Sequence, residues 1–261
     1  MSEVLVVRCG RVPYEEARGA QKRLEAARHA GEIPDLLLLL EHPPVYTKGR
    51  RATAEELPMG DAWYRDHGIE VTDTDRGGRV TYHGPGQLVA YPIVSLPALA
   101  GRGSQEGSKG EPRFDVPGYV SRMERAIIAA LSDWAVPAQV IDRLTGVWTA
   151  GEPPPGGDAR KIASIGIHVN RGVTTHGLAV NVNNDLQPFE WIVPCGIESV
   201  RMTSLSAELG AEQDLERVAD GLAARFAEVC GLRAVEMPAA ELAARVEGAR
   251  PLAAATTAPV R

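Results

Sequence analysis

The chain contains only three cysteines, Cys9, Cys195 and Cys230, too few and too scattered for a disulfide framework or a structural zinc site, so a cysteine that matters here acts as a thiol. No apolar run approaches the roughly 18 to 20 residues of a membrane span, the longest lying around Leu36 to Leu40. A basic excess is also lacking. With 28 basic and 34 acidic residues the formal charge is −6, which argues against a general grip on nucleic acid while leaving room for local basic clusters. The N-terminus carries no basic segment running into a signal-type apolar stretch, so a cytoplasmic location is expected. There is no Gly-Lys-Ser/Thr phosphate loop, and the glycines at 101–107 have the wrong spacing for a dinucleotide turn. The six histidines, at 29, 42, 67, 83, 168 and 176, form no His-x-x-x-His pair, and no metal site is expected. Lysine is scarce as well: four, at 22, 48, 109 and 161, leave 28 − 4 = 24 arginines.

What is present is enough for one sizeable core, because 44% of the 261 residues are hydrophobic and 24% charged, outside the range of disordered chains. Val4 to Val12 reads as a strand, after which Pro13 opens a helix that Gly31 stops. Asp35 to Leu40 suits a strand buried on both faces. Asp61 to His67 reads as a short helix and Ile69 to Thr74 as a strand, followed by a glycine-rich approach to further strand at Leu88 to Leu96. Tyr119, Met123, Ile127 and Trp134 fall on one helical face, and Asp214 to Cys230 forms a last amphipathic helix. Lys161–Asn170 and Val173–Asn183 alternate like paired strands across Arg171-Gly172. These elements, without a regular βαβ cadence, predict a single α/β (α+β) domain with a mixed central β-sheet flanked by helices, over residues 1–236. Two flexible insertions are expected, at about 97–118 and 150–160, the first without a functional role. Residues 237–261 are expected to be a disordered or frayed tail.

Few residues stand out for chemistry. His83 and His176 each follow a threonine-bearing strand and precede a glycine, which suits either a close approach of ligand to backbone or a merely hydrogen-bonded strand end. Cys195, between Pro194 and Gly196, could be presented at a tight bend, or could be a small apolar residue as Cys9 and Cys230 are expected to be. A nucleophilic thiol needs a base or cation beside it. Lys161 opens an apolar strand in a chain that otherwise uses arginine, and lysine, unlike arginine, can give up a proton. The 34 residues between Lys161 and Cys195 say nothing about whether they meet.

Several segments taken together resemble the lipoyl(octanoyl) transferase family of lipoate biosynthesis, related to the lipoate and biotin protein ligases. They are Glu41 to Thr47, Arg76 to Gln87 with its Arg-Gly-Gly-Arg and Thr-Tyr-His-Gly-Pro-Gly-Gln, Lys161 to Gly166, Thr175 to Asn181, and Pro194-Cys195-Gly196. Their order and spacing follow the family from about residue 4 to 232. The resemblance implies a lipoate/biotin protein ligase-like fold and an enzyme that moves an octanoyl or lipoyl group from acyl carrier protein to a lysine amine of apo lipoyl domains. Those domains belong to the 2-oxoacid dehydrogenase complexes and the glycine cleavage H protein. Cys195 would carry the acyl group as a thioester and Lys161 would activate it. Arg76, Gly77, Gly78, Arg79, Val80, Thr81, Tyr82, His83, Ser164, Ile165, Gly166, Gly177, Leu178 and Ala179 would line the acyl pocket, with His42 and His176 beside it. No cofactor, ATP, nucleic acid or membrane is implied.

Two other readings compete: an ATP-dependent lipoate or biotin-type ligase on the same scaffold, and a non-catalytic acyl-binding protein. Pro194-Cys195-Gly196 together with Lys161 favours the transferase over both. Acyl carrier proteins are acidic, and Arg50, Arg51, Arg76 and Arg79 are the candidates to receive one.

Overall fold

The computed structural model describes residues 2–100, 114–154, 156–193 and 200–256. In chain order the strands are β1 (Ser2–Arg11), β2 (Asp35–Glu41), β3 (Val45–Lys48), β4 (Glu70–Asp73), β5 (Val80–His83), β6 (Gln87–Ile93), β7 (Ala138–Ile141), β8 (Leu144–Thr149), β9 (Lys161–Asn170), β10 (Val173–Asn181) and β11 (Leu232–Glu236). The helices are α1 (Tyr14–Ala30), α2 (Asp61–Asp66), α3 (Leu96–Ala100), α4 (Val116–Ser132), α5 (Leu205–Leu209), α6 (Leu215–Cys230), α7 (Ala239–Arg245) and α8 (Arg250–Thr256).

Eight strands form one mixed sheet in the order β11-β1-β2-β6-β10-β9-β8-β7. β1 runs parallel to both β2 and β11, and the pairs from β2 to β7 are antiparallel. The leucine run of β2 is buried throughout because side chains alternate between two covered faces. Leu37 and Leu39 meet Met123 and Ile127 of α4 and Leu222 and Phe226 of α6. Leu36, Leu38 and Leu40 meet Ala17 and Leu24 of α1. Local signals set the helix ends. α1 carries Glu15 and Glu16 in its first turn and Arg28 in its last, complementing the helix dipole, and Gly31 closes it at φ 73°. Asp214 caps α6 by accepting from the backbone N–H of Glu216 and Arg217.

A second, three-stranded sheet, β4-β3-β5, packs Tyr46, Tyr64, Tyr82, Phe189 and Ile192 into a separate small core. Its edge strand β5 leads straight into β6, so the two sheets meet at His83 to Gln87.

Three expectations are corrected. Of the expected tail, Ala239–Arg245 and Arg250–Thr256 are helical rather than frayed, with Leu242, Ala249 and Leu252 buried on the α1 face of the sheet, while 257–261 lie outside the described residues. Its alanine-rich composition hid a one-sided apolar stripe that the sheet covers. α6 is therefore not the last helix. Residues 101–113 of the first insertion lie outside the described residues, but its flanks are helical and Val116 reaches the cavity described below. Strands β3, β7, β8 and β11 are short, and their local pattern did not reveal them. Among the described residues no helix is long and apolar enough to cross a membrane.

Candidate active site

Between the two sheets lies a cavity of about 480 Å³, within the size range of small-molecule sites. Its floor is the β9–β10 pair. Gly166 stands opposite Gly177, and Ile165 opposite Leu178. A Cβ on Gly177 would lie 2.1 Å from the carbonyl oxygen of Ala90, so only glycine lets β10 approach β6 there. The opposite wall is the glycine-rich segment 76–79, pinned to β9 by the Gly77 N–H donating to the Ile167 carbonyl at 2.9 Å. Arg76 is buried. Its guanidinium donates to the Thr47 hydroxyl at 2.7 Å and to the Gly77 carbonyl at 3.0 Å, fastening the segment to β3.

Of the pocket residues expected from sequence, all but Tyr82 and His42 line this cavity. Tyr82 alternates away from Thr81 and His83 along β5 and packs against Tyr46 and Phe189. His42 lies one layer behind, with its ring 5.6 Å from that of His83 and 5.8 Å from that of Tyr91. Sequence reasoning missed the contributions of Tyr14, Tyr91, Val120, Leu144 and Trp148, which come from distant elements.

The buried histidines are neutral. His42 donates from Nδ1 to the Val12 carbonyl at 2.6 Å and accepts from the Tyr91 hydroxyl at 2.7 Å, and burial pushes it down to about 4. His83 pairs Nδ1 with Gln87 Oε1 at 2.7 Å. Because the Gln87 amide nitrogen is already donating to Tyr82 O and Asn181 Oδ1, the proton sits on His83 Nδ1. Burial, then the nearby His42 and Arg76, hold His83 well below the usual histidine range. His176 adopts φ 56° inside β10, a left-handed conformation. Its N–H donates to Gln21 and its Nε2 meets Asp75 Oδ1 at 2.8 Å. Burial pushes His176 down in spite of Asp75, whose carboxyl the same hydrogen bond holds well below the usual range. His83 and His176 are thus hydrogen-bonded, as one of the two sequence readings expects, and both line the cavity.

Lys161 begins β9, is 4% exposed, and lines the cavity. Its Nζ lies 5.4 Å from the centroid of the fully buried Trp148 ring. Gly146, at φ 118°, makes room for it: a Cβ there would stand 2.7 Å from Lys161 Cε and 2.5 Å from the Ala163 carbonyl oxygen. Cys195 falls in 194–199, outside the described residues. The chain on either side is anchored. The Val193 N–H donates to the Glu56 carbonyl at 3.0 Å, and Lys161 donates to Arg201 and accepts from Thr203 through its backbone at 2.8 and 2.9 Å. Cys9 and Cys230 are buried, their thiols pushed up by burial to about 12 and about 11, and neither lines the cavity.

The arginines divide. Arg51 and Arg143 are exposed residues on the cavity's lining. Arg79 is ion-paired to the buried Glu56 but its own side chain stays 39% exposed, whereas Arg76 is buried and is a structural rather than a surface cation.

Residues 13–227 match the lipoyl protein ligase A/B catalytic domain family. An octanoyltransferase of Myxococcus xanthus is 43% identical over 238 residues, covering 91% of this chain and 62% of that protein. Octanoyltransferases of Acidobacterium capsulatum, 43% identical over 85% of this chain and 88% of the relative, and of Mycobacterium tuberculosis, 44% identical over 86% of each, match at greater coverage. Among solved structures, a bi-partite lipoate protein ligase of Thermoplasma acidophilum superposes with a TM-score of 0.69 at 15% identity, covering 97% of this chain and 91% of that one. A lipoate-protein ligase A bound with ATP gives 0.63 at 15% identity, covering 97% and 92%. At such identities the likeness is one of fold, and it bears out the mixed α/β sheet with flanking helices. The chain therefore belongs to the lipoyl protein ligase A/B catalytic domain family and, within it, to the octanoyltransferases, acyltransferases of lipoate biosynthesis.

Proposed function

We propose that this chain takes the octanoyl group from octanoyl-acyl carrier protein onto Cys195 and passes it to a lysine amine on apo lipoyl domains, in the cytoplasm, with Lys161 as proton carrier. The acceptors are the lipoyl domains of 2-oxoacid dehydrogenase complexes and the glycine cleavage H protein. The observation that carries this reading is the placement of Lys161. It is a buried lysine on the wall of a cavity that also offers Ile165, Leu178, Val120 and Leu144, its backbone bonded to Arg201, six residues beyond Cys195.

A resting Cys195 thiolate paired with the Lys161 ammonium attacks the carrier thioester. The carrier's sulfur leaves with a proton from Lys161, whose amine then takes a proton from the incoming lysine as it attacks. Amide formation releases the Cys195 thiolate and restores the pair, so the cycle consumes no ATP. The seven methyl and methylene carbons of an octanoyl chain supply at most about 5–6 kcal/mol when buried along Ile165, Leu178, Val120 and Leu144. Arg51 and Arg143, exposed on the cavity's lining, suit an acidic carrier.

The test is intact mass spectrometry after mixing the protein, an apo lipoyl domain and octanoyl-loaded acyl carrier protein without ATP. The expected result is one octanoyl group on the lipoyl domain and a hydroxylamine-labile adduct on the protein, lost in Cys195→Ser. If neither mass shifts until free octanoate and ATP are added, the thioester reading is wrong and the chain works as a ligase.

A further inference from the structure

The segment carrying Cys195 is held by one short tether and one long one. Val193 precedes Cys195 by two residues, which span at most about 7 Å of extended chain, whereas Arg201 follows it by six, which span about 20 Å. The N-terminal tether therefore sets the tighter limit on where the thiol can stand relative to the cavity. The chain before it is fastened to the small sheet and its loops. The Tyr46 hydroxyl donates to the Pro188 carbonyl at 2.6 Å and the Tyr64 hydroxyl to the Trp191 carbonyl at 2.8 Å. Closest to Cys195 along the chain is the bond from the Val193 N–H to the Glu56 carbonyl at 3.0 Å.

Glu56 holds the cavity wall with its side chain. It ends the short 3₁₀ turn Ala54–Glu56 after β3 and is 2% exposed. One carboxylate oxygen accepts from the Arg79 guanidinium and the other from the Val80 N–H at 3.1 Å. Arg79 and Val80 both line the cavity. A carboxylate taken out of water is costly unless its oxygens are bonded, and here both are, one of them by a cation. Leu57 and Ile192, each adjacent in sequence to a partner of the Glu56–Val193 bond, share the small core, which steadies that bond from both sides. The wall's remaining backbone bonds, from the Gly49 N–H to the Arg79 carbonyl at 3.2 Å and from the Arg51 N–H to the Gly78 carbonyl at 3.0 Å, tie it to the turn after β3 and not to Val193.

We propose that Glu56 is a positioning residue of acyl transfer: it sets the reach between the Cys195 thiol and the acyl cavity by joining Val193, through its backbone, to Arg79 and Val80, through its carboxylate. The inference rests on the reading that Cys195 carries the acyl group. Glu56 touches no substrate; it acts through the two stretches of chain it joins. Such a tether matters to a reaction that must set the acyl carbonyl against the sulfur while the chain lies in the cavity, because a misplacement of about 1 Å costs up to about a hundredfold in rate. It does not matter to a small reagent that meets the thiol without occupying the cavity.

The test cuts the tether at each end. Glu56→Gln keeps an oxygen for the Val80 N–H and gives up the one that holds Arg79. Val193→Pro removes the N–H that meets the Glu56 carbonyl, and Ile192, at φ −131° and ψ 165°, already has the extended backbone that precedes a proline. Two rates are measured on the wild type and both variants: single-turnover octanoylation of Cys195 by octanoyl-loaded acyl carrier protein, followed by intact mass, and alkylation by iodoacetamide, located to Cys195 by peptide mapping. The expected result is octanoylation slowed about ten- to hundredfold in both variants, with the alkylation rate and the melting temperature retained. Octanoylation at the wild-type rate in either folded variant overturns the tether. Octanoylation and alkylation falling together also overturn it, since the thiol itself would then be affected rather than its reach to the cavity. If one variant does not fold, the other decides alone. A wild type that is alkylated at Cys195 but takes up no octanoyl group overturns the thioester reading itself, which separates that failure from a failure of the tether.

Discussion

His42 offers a quantitative check on how the two sheets join. Its ring is fully buried, gives its only proton to the Val12 carbonyl and accepts from the Tyr91 hydroxyl, so a second proton would put a charge in a fully buried site and reverse the hydrogen bond with Tyr91. Burial depresses it from 6.5 to about 4. The unfolded chain therefore binds a proton through pH 6.5 that the folded one refuses until about pH 4. A depressed histidine contributes stability that is present above its unfolded value and is lost as the pH falls toward the folded one. Integrating between those two values gives a loss of about 2 kcal/mol from pH 7 to pH 5, approaching about 3 kcal/mol below pH 4. His83 and His176 are depressed too, so the clean quantity is a difference between proteins. Urea unfolding of the wild type and His42→Gln, followed by tryptophan fluorescence at pH 7 and pH 5 and constant ionic strength, isolates it. The wild type is expected to lose about 2 kcal/mol more than the variant over that interval, whatever their difference at pH 7. Equal losses would show that His42 takes up its proton in the folded state at an ordinary pH, and the burial argument would be refuted.

Lys161→Arg keeps the charge but removes a group able to release a proton, and is expected to slow octanoyl transfer by at least a hundredfold, the scale of general acid–base assistance. A near-normal rate in a steady-state assay would reduce Lys161 to an electrostatic role. Gly146→Ala places a methyl group 2.5 Å from a backbone oxygen and 2.7 Å from Lys161 Cε at a φ of 118°. It is expected to lower stability by about 2–3 kcal/mol and to impair transfer in the molecules that remain folded, and an unchanged melting temperature would contradict the geometry. Leu242→Ala, in α7 and fully buried, is expected to lose about 2–4 kcal/mol in denaturant unfolding. A loss below about 0.5 kcal/mol would mean that the tail is frayed after all.

What could be read from the chain alone was what rests on short-range periodicity. The amphipathic stripes of α1, α4 and α6, the all-apolar β2 and the Arg171-Gly172 hairpin are written in local spacing, and each formed where that spacing placed it. The pocket segments were legible through the family's motifs, because glycine-rich stretches mark places where backbones must pass closely. What failed was pattern that acquires meaning only from a neighbour. β7, β8 and β11 are four to six residues long and take their order from the strand beside them. Ala239, Leu242 and Leu252 of α7 and α8 become core only because β1 and α1 present a face to them. Tyr82 and His42 belong to conspicuous motifs yet miss the cavity, since strand alternation turns one away and a layer of rings hides the other.

Composition narrowed the candidate thiols to three cysteines and the candidate amines to four lysines, and the local settings of Cys195 and Lys161 together with the family resemblance singled out one of each. The tertiary structure alone decided what surrounds that lysine. The tryptophan under Lys161 and the missing side chain at Gly146 both come from β8 while the lysine comes from β9, and their proximity is a property of sheet register. An electrostatic environment depends on distance through space, and distance along a sequence does not contain it.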